Sequence, residues 1–330
     1  MAFRPVCQKV DDNRLSVSTM SDTSDENKGL GDIRALRDKV TVVVPTLNES
    51  EAIGGLLEEI KGCGYRNVLV VDGYSTDGTQ SIARNLGAQV IGQHGKGKAG
   101  GVLTARDVIK TPFFVLMDGD SSYDPHDIDR FLPFMDKYDH IVGCRSLTSP
   151  NISRSHKIGN RILTGTFNAF MGSNIPDVCS GMYMLRTDRV KELLLDKPGY
   201  VVDQEIAVQT LIDGKVTCVP INYRKRMGKA KAPTWRQGFR ALYTILQLAR
   251  EYNPVFLGGV FASLAIIPGI AILLWFFYAF LATGAVHSTY LLLSVLLFVL
   301  GALGVTVSTI AIMLRRMERK ITGMLRKNYQ

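Results

Sequence analysis

The chain has 330 residues, 46% of them hydrophobic, with 39 Lys plus Arg against 30 Asp plus Glu for a net charge of +9. That length holds one large domain or two ordinary ones. The five cysteines (Cys7, Cys63, Cys144, Cys179, Cys218) form no Cys-x-x-Cys and the five histidines are as scattered, which excludes a zinc-finger spacing and reads as reduced, structural thiols.

Residues 1–38 are polar, rich in Ser, Asp and Thr, and lack the apolar run of a signal peptide; they read as a disordered lead. Val40–Val44 is a β-branched strand that ends at Pro45. Ile53, Leu56, Leu57 and Ile60 then share one helical face. Asn67–Val71 is a second strand, running into Asp72-Gly-Tyr-Ser-Thr-Asp77-Gly-Thr. A helix through Ile82, Ala83 and Leu86 stops at Gly87. Ala88–Ile91 is the third strand, Ala99–Ile109 a helix and Phe113–Met117 the fourth strand. Strands alternating with helices predict a doubly wound, mostly parallel α/β sheet whose polar loops collect along one edge.

Asp118 and Asp120 close the fourth strand. On an extended segment i and i+2 point the same way, so two carboxylates converge at the sheet edge where open α/β folds take ligands. Such a pair is a hard-oxygen site for Mg²⁺ or Mn²⁺; the plain alternative is a solvated turn. Gly95-Lys-Gly97-Lys-Ala-Gly100 satisfies G-x-G-x-x-G but follows the third strand rather than the first, and Ala99 replaces the Ser or Thr of a P-loop. Its backbone N–H groups and Lys96 or Lys98 suit a diphosphate, unless these lysines are solvated surface.

The charge is uneven. Residues 224–251 net +7 and residues 315–330 net +5, which leaves −3 for the rest of the total of +9. Between these clusters, residues 252–314 hold no Asp, Glu, Lys or Arg. Val255–Ala282 and Leu291–Leu314 each exceed the ~20 residues that cross a bilayer as a helix. The basic flanks put both ends on the cytoplasmic side, with the 283–289 turn opposite. Pro268 falls inside the first span, where a kink is tolerable. Charge that hugs the membrane ends speaks for the bilayer and against nucleic acid as a partner. Thr234–Arg250 is amphipathic: Trp235, Phe239, Leu242, Leu246 and Ala249 recur at helical spacing beside Arg236, Arg240, Gln247 and Arg250, with Thr234 as N-cap. It reads as an interfacial helix, or else as an ordinary packing helix. Gly258/Gly259 and Gly301/Gly304 are small-residue pairs through which a homo-oligomer could pack.

Four segments occur here in one order: Pro45-Thr-Leu-Asn-Glu49, Val70-Val-Asp-Gly-Tyr-Ser-Thr-Asp77-Gly-Thr, Gly95-Lys-Gly-Lys-Ala and Met117-Asp-Gly-Asp-Ser-Ser-Tyr-Asp-Pro125. Together they resemble the GT-A glycosyltransferases of family 2, over about residues 40–250. The closer resemblance is to polyprenyl-phosphate hexose synthases of the dolichyl-phosphate mannose synthase type, above all archaeal dolichyl-phosphate hexosyltransferases. It implies a GT-A catalytic domain at 39–233, followed by the amphipathic helix at 234–251, two transmembrane helices within 252–314 and a basic cytoplasmic tail at 315–330. It also implies a multi-pass protein of the cell membrane, or of the ER membrane in a eukaryote.

The resemblance assigns roles. Pro45, Leu47, Glu49 and Asp72 would hold the nucleoside, with Asp77 in the same turn or only capping the next helix. Lys98, Asp118, Asp120, Asp203 and Glu205 would complete the nucleotide-sugar site, and Asp118 and Asp120 would bind the metal. Ser122 stands where relatives often carry a glutamine ligand. Arg145, Arg154, Lys157, Asn160, Ser180, Arg224 and Arg226 would receive the acceptor phosphate; Asp120, Arg145, Lys157 and Arg226 would carry catalysis. Lys157 stands where Arg is usual, and Ala230 replaces a Ser in the basic loop. The implied reaction is metal-dependent, inverting transfer of a hexosyl group to dolichyl or another polyprenyl phosphate. UDP-glucose or UDP-N-acetylglucosamine is favoured as donor, and GDP-mannose stays open. The rival readings are a processive or otherwise directed family 2 transferase and a catalytically inactive membrane scaffold.

Overall fold

A computed structural model describes residues 32–146, 150–195, 202–228, 234–284 and 288–328. They fall into two compact units that divide after Ile245.

The first unit opens with a short helix, α1 (32–38). Then follow β1 (Val40–Thr46), α2 (Ser50–Gly62), β2 (Asn67–Asp72), α3 (Thr79–Asn85), β3 (Gln89–Gly92), α4 (Gly97–Val108) and β4 (Phe113–Leu116). After two 3-10 turns come β5 (His140–Arg145), α5 (Arg154–Met171), β6 (Tyr183–Arg186), α6 (Thr187–Glu192), α7 (Val202–Asp213) and β7 (Val216–Ile221). The sheet order is β3-β2-β1-β4-β6-β5-β7. All pairings are parallel except those of β6, which is antiparallel to β4 and β5.

Both faces of the sheet are covered. Ile53, Leu56, Leu57 and Ile60 of α2 pack with Val42, Val44 and Val70, while Val102 and Ala105 of α4 pack with Val43, Leu69, Val71 and Leu116. Adjacent strand residues therefore enter opposite cores, which explains the continuous rather than alternating apolar runs. The chain winds outward from β1 to β3 and returns to β4 on the other side of β1. The edge between β1 and β4 is thus the point where strand order reverses, the place where such sheets open a ligand crevice.

β1 continues past the expected stop at Pro45. Its pairing with β4 ends at Val43↔Leu116, but its pairing with β2 runs on to Thr46↔Asp72. Pro45 therefore sits where β1 has one neighbour only, and a missing N–H is tolerated. The expectation of reduced thiols is corrected at one pair: Cys144 and Cys218 are joined as a disulfide. They lie 74 residues apart in sequence and meet only because β5 and β7 pair. Cys63 and Cys179 are free, and Cys7 lies outside the described residues.

α8 spans Thr234–Tyr252. Thr244, Ile245, Leu248 and Ala249 are buried, whereas Phe239, Tyr243 and Leu246 are exposed. The side chains of Thr234, Trp235, Arg236 and Arg240 lie outside the described residues.

In the second unit α9 (Pro254–Thr283) and α10 (Ser288–Asn328) form an antiparallel hairpin. A Cβ on Gly258 would meet Ser308, one on Gly304 would meet Ala262, and one on Gly301 would meet Ile266. Three of the four glycines considered for oligomer packing are thus used inside this hairpin; Gly259 faces open space. Gly258–Thr283 and Ser288–Ala311 are long and apolar enough to cross a membrane, with 26 and 24 residues. At 1.5 Å per residue they reach about 39 and 36 Å, beyond the ~30 Å hydrocarbon layer. Large apolar side chains such as Leu264, Leu274, Leu281, Leu292 and Val307 stay exposed along both, unlike the helices of a soluble core.

Candidate active site

A cleft opens at the C-terminal ends of β1 to β4. It is lined from β1 by Pro45, Thr46, Leu47 and Glu49, from β2 and β3 by Gly73 and Gln93, and from α4 by Gly97 and Lys98. Asp118, Gly119 and Asp120 after β4 and Arg226 after β7 close it.

The loop after β1 is built by its neighbour after β2. Asn48 has φ +53, and its Oδ1 accepts from Thr76 N at 2.9 Å, a contact that offsets the left-handed backbone. Asp77 accepts from Ser50 N at 2.9 Å and from Thr79 N at 3.1 Å, so it joins the starts of α2 and α3. Partial burial works against its charge, but the bonds from Thr79 and Ser50 hold its carboxyl well below the ordinary range. Asp72 is fully buried and does not line the cleft. Its Oδ1 accepts from Ser75 N and Gln80 Nε2, and its Oδ2 from Thr46 Oγ1 and Ser75 Oγ, at 2.6–2.9 Å.

After β4 the chain leaves the extended form. The strand stops at Leu116, Gly119 and Asp120 turn, and Ser121 has φ +59. The expected i, i+2 alternation therefore does not carry Asp118 and Asp120 to the cleft; the turn does. Asp120 accepts from Ser122 N and Oγ at 3.1 and 2.5 Å, so the residue in the expected glutamine position holds the Asp120 carboxylate.

Each of the two carboxylates has a cation beside it. Lys98 Nζ is 2.9 Å from Asp118 Oδ1 and 3.0 Å from Asp203 Oδ2, with its side chain only 7% exposed. This settles Lys98 as buried, whereas Lys96 is exposed. Burial opposes the charge on Lys98, but Asp118 and Asp203 outweigh it and raise its pKa. Tyr183 Oη donates to the other oxygen of Asp203 at 3.0 Å. Burial raises the pKa of Asp203 against the pull of Lys98. Arg226 lies between Asp120 (Nε to Oδ2, 3.4 Å) and Glu49 (Nη2 to Oε1, 3.5 Å). Its segment is held to the loop after β4 by Met227 N→Asp120 O and Arg224 N→Ser122 O.

The structure therefore gathers Pro45, Leu47, Glu49, Lys98, Asp118, Asp120 and Arg226 at one cleft, with Asp203 behind Lys98. It does not bring the other expected residues there. Arg145 is bound bidentately by Asp177 at 2.7 and 3.0 Å and stacks on Tyr223. Ser180 and Glu205 are 2% exposed. Arg224 pairs with Glu59 and Asp124 and does not line the cleft. Arg154, Lys157 and Asn160 stand on the first two turns of α5, outside the cleft lining. Glu59, Asp124 and His126 form the three-residue metal-like cluster found among the described residues, but the guanidinium of Arg224 already bridges Glu59 and Asp124.

Two further residues complete the surroundings of the cleft, of which Gln93 escaped the sequence reading. Gly181 packs so closely that a Cβ there would lie 2.3 Å from Asp118 Oδ2 and 2.9 Å from Lys98 Nζ. Gln93 ends β3 inside the cleft; its signal was its place, one residue past a strand that points at the site.

Residues 41–194 match the model of glycosyl transferase family 2. The chain is 30% identical over 264 residues to "Glycosyltransferase AglJ" of Haloferax volcanii, covering 78% of this chain and 87% of that one. It is also 30% identical over 220 residues to "Dolichyl-phosphate hexose transferase" of the same organism, covering 65% of this chain and 95% of the relative. Among solved structures, glucosyl-3-phosphoglycerate synthase from Mycobacterium tuberculosis, in complex with Mn²⁺, UDP-glucose and phosphoglyceric acid, matches with a TM-score of 0.56 at 18% identity. That match covers 67% of this chain and 83% of the other, and carries the likeness of fold. Motif order, the cleft between β1 and β4, and these relatives agree: the chain is a glycosyltransferase and belongs to glycosyl transferase family 2.

Proposed function

We propose that the protein transfers a hexosyl group from a nucleotide sugar to dolichyl or another polyprenyl phosphate, with inversion at the anomeric carbon. The carrying observation is the pair Asp118 and Asp120 facing one cleft with Lys98 and Arg226 beside them. Two carboxylates present hard oxygens without sulfur or imidazole, a donor set that fits Mg²⁺ or Mn²⁺. Bound there, the cation would stabilise the charge that develops on the departing nucleoside diphosphate. Pro45 and Leu47 frame the nucleoside, and the N-terminus of α4 with Lys98 faces the diphosphate. UDP-glucose or UDP-N-acetylglucosamine is the favoured donor, since the solved relative above holds UDP-glucose in the same fold.

The acceptor needs little help from a base, because a phosphate monoester has a second pKa of about 6 and is anionic near neutrality. Catalysis is then orientation and charge stabilisation. Arg226, which lines the cleft beside Asp120, holds the acceptor phosphate next to the donor in this reading. Arg154 and Lys157 at the start of α5 supply the approach, and Ile158 and Ile162, both exposed on the same helix, offer apolar contact to a lipid-borne substrate. The relative named as a dolichyl-phosphate hexose transferase and the two membrane-length helices support this acceptor. In this reading the catalytic unit and both chain ends are cytoplasmic, as the basic flanks require.

The test is purified protein in detergent with Mg²⁺ or Mn²⁺, dolichyl phosphate and, separately, radiolabelled UDP-glucose, UDP-N-acetylglucosamine and GDP-mannose. Label entering the lipid phase from one donor, and lost with EDTA, supports the reading. No lipid label from any donor, with folded protein, overturns it.

A further inference from the structure

The cleft has two ends. Asp118, Asp120, Lys98 and Arg226 crowd the β4 side, while Gln93 follows β3, at the far edge of the sheet. β2 and β1 lie between β3 and β4, and the Gln93 amide reaches back close to Gly73 after β2 and Gly101 on α4. A nucleoside diphosphate laid along this edge with its diphosphate at Asp118 and Asp120 puts its base towards Gln93.

The base must find hydrogen-bonding groups there. Asp72, the residue first expected to hold the nucleoside, has none to give. A carboxylate offers about four lone-pair positions. All are used, by Ser75 N, Ser75 Oγ, Gln80 Nε2 and Thr46 Oγ1, and the side chain is fully buried. Gln93 is the opposite case. It is 8% exposed and lines the cleft. Its Nε2 donates to Gly95 O at 3.4 Å, which fixes the amide with Oε1 as the free acceptor; Oε1 has no hydrogen-bond partner among the described residues. Oε1 meets the open cleft, where a ligand N–H can take the place of solvent.

We propose that Gln93 is the specificity-determining residue for the donor base, and that its Oε1 accepts from the imide N3–H of uracil. Asp72 is a positioning residue that holds the loop after β1 in place. The inference rests on the nucleotide-sugar reading above and narrows it to uridine donors. Cytosine is the sharp comparison: it matches uracil in size, but its N3 is an acceptor and would face Oε1 lone pair to lone pair.

The experiment is titration of the full-length protein in detergent with UDP, CDP and GDP in the presence of Mn²⁺, read by calorimetry. The expected result is UDP bound about tenfold or more tightly than CDP by wild type. Gln93→Leu should bring the two within about threefold, by weakening UDP. Gln93→Glu, which keeps an acceptor oxygen, should keep the preference for UDP. Equal UDP and CDP affinity in wild type, or an undiminished preference in Gln93→Leu, overturns the role of Gln93. GDP bound more tightly than UDP overturns the choice of uracil, since guanine carries the same N–H beside a carbonyl. Failure to bind any of the three removes the nucleotide-sugar reading itself, a different outcome from loss of discrimination.

Discussion

Gly181→Ala adds one methyl group and removes no charge and no hydrogen-bonding group. Its Cβ would lie 2.3 Å from Asp118 Oδ2, 2.9 Å from Asp118 Cγ and 2.9 Å from Lys98 Nζ. Unstrained contact begins near about 3.4 Å, so the carboxylate must retreat by roughly 1 Å. It cannot do so alone, because Lys98 is clashed as well and is tied to Asp203. Overpacking of this kind costs about 1–3 kcal/mol of stability. A displacement of about 1 Å at a reacting centre costs on the order of 100-fold in rate. The assay is kcat for lipid-linked product at saturating donor and Mn²⁺, alongside the Tm of the same preparation. The account expects a kcat lower by about two orders of magnitude in a protein that still melts cooperatively. Wild-type kcat in folded Gly181→Ala would show that Asp118 does not act from the position described, and would refute the assignment of the metal carboxylates.

Lys98→Met leaves Asp118 and Asp203 without their shared cation, and removal of one partner from a buried ion pair costs about 3–5 kcal/mol; unchanged denaturant stability would count against that network. His140 is buried against Thr210 and Tyr183, and burial lowers its pKa to about 3. The unfolded chain therefore takes up this proton near pH 6.5 and the folded chain only near 3. Stability present above pH 6.5 is lost on acidification across that window, about 5 kcal/mol at most, and His140→Leu should flatten this limb of a stability-against-pH curve. Removing residues 252–330 should impair transfer to long-chain polyprenyl phosphate far more than UDP binding. Normal transfer by the truncated protein would refute membrane positioning as a part of the mechanism.

The βα order was legible because buried parallel strands leave continuous apolar runs such as Val40–Val44 and Phe113–Met117, and amphipathic helices leave a 3.6-residue stripe. The two apolar spans were legible because nothing charged interrupts residues 252–314. What stayed hidden depends on contacts far apart in sequence. Cys144 and Cys218 meet through strand pairing, and Lys98 reaches Asp203 across 105 residues. Arg145 and Arg224 looked like phosphate-binding cations, yet Asp177 and the Glu59–Asp124 pair already hold them. Sequence gives the charge of an arginine but not whether an acid is folded against it. Asp72 and Gln93 show the same limit: an acid that looked like a ligand is saturated by neighbours, and an unremarked amide faces the cleft.

The central claim is that Asp118 and Asp120 drive sugar transfer to a lipid phosphate. It is tested most directly by comparing wild type with Asp120→Ala in matched detergent preparations, following radiolabel from UDP-sugar into the lipid phase with dolichyl phosphate and Mn²⁺. The account predicts lipid-phase label from wild type and loss of it in a folded Asp120→Ala protein. Equal label from the two proteins would contradict it.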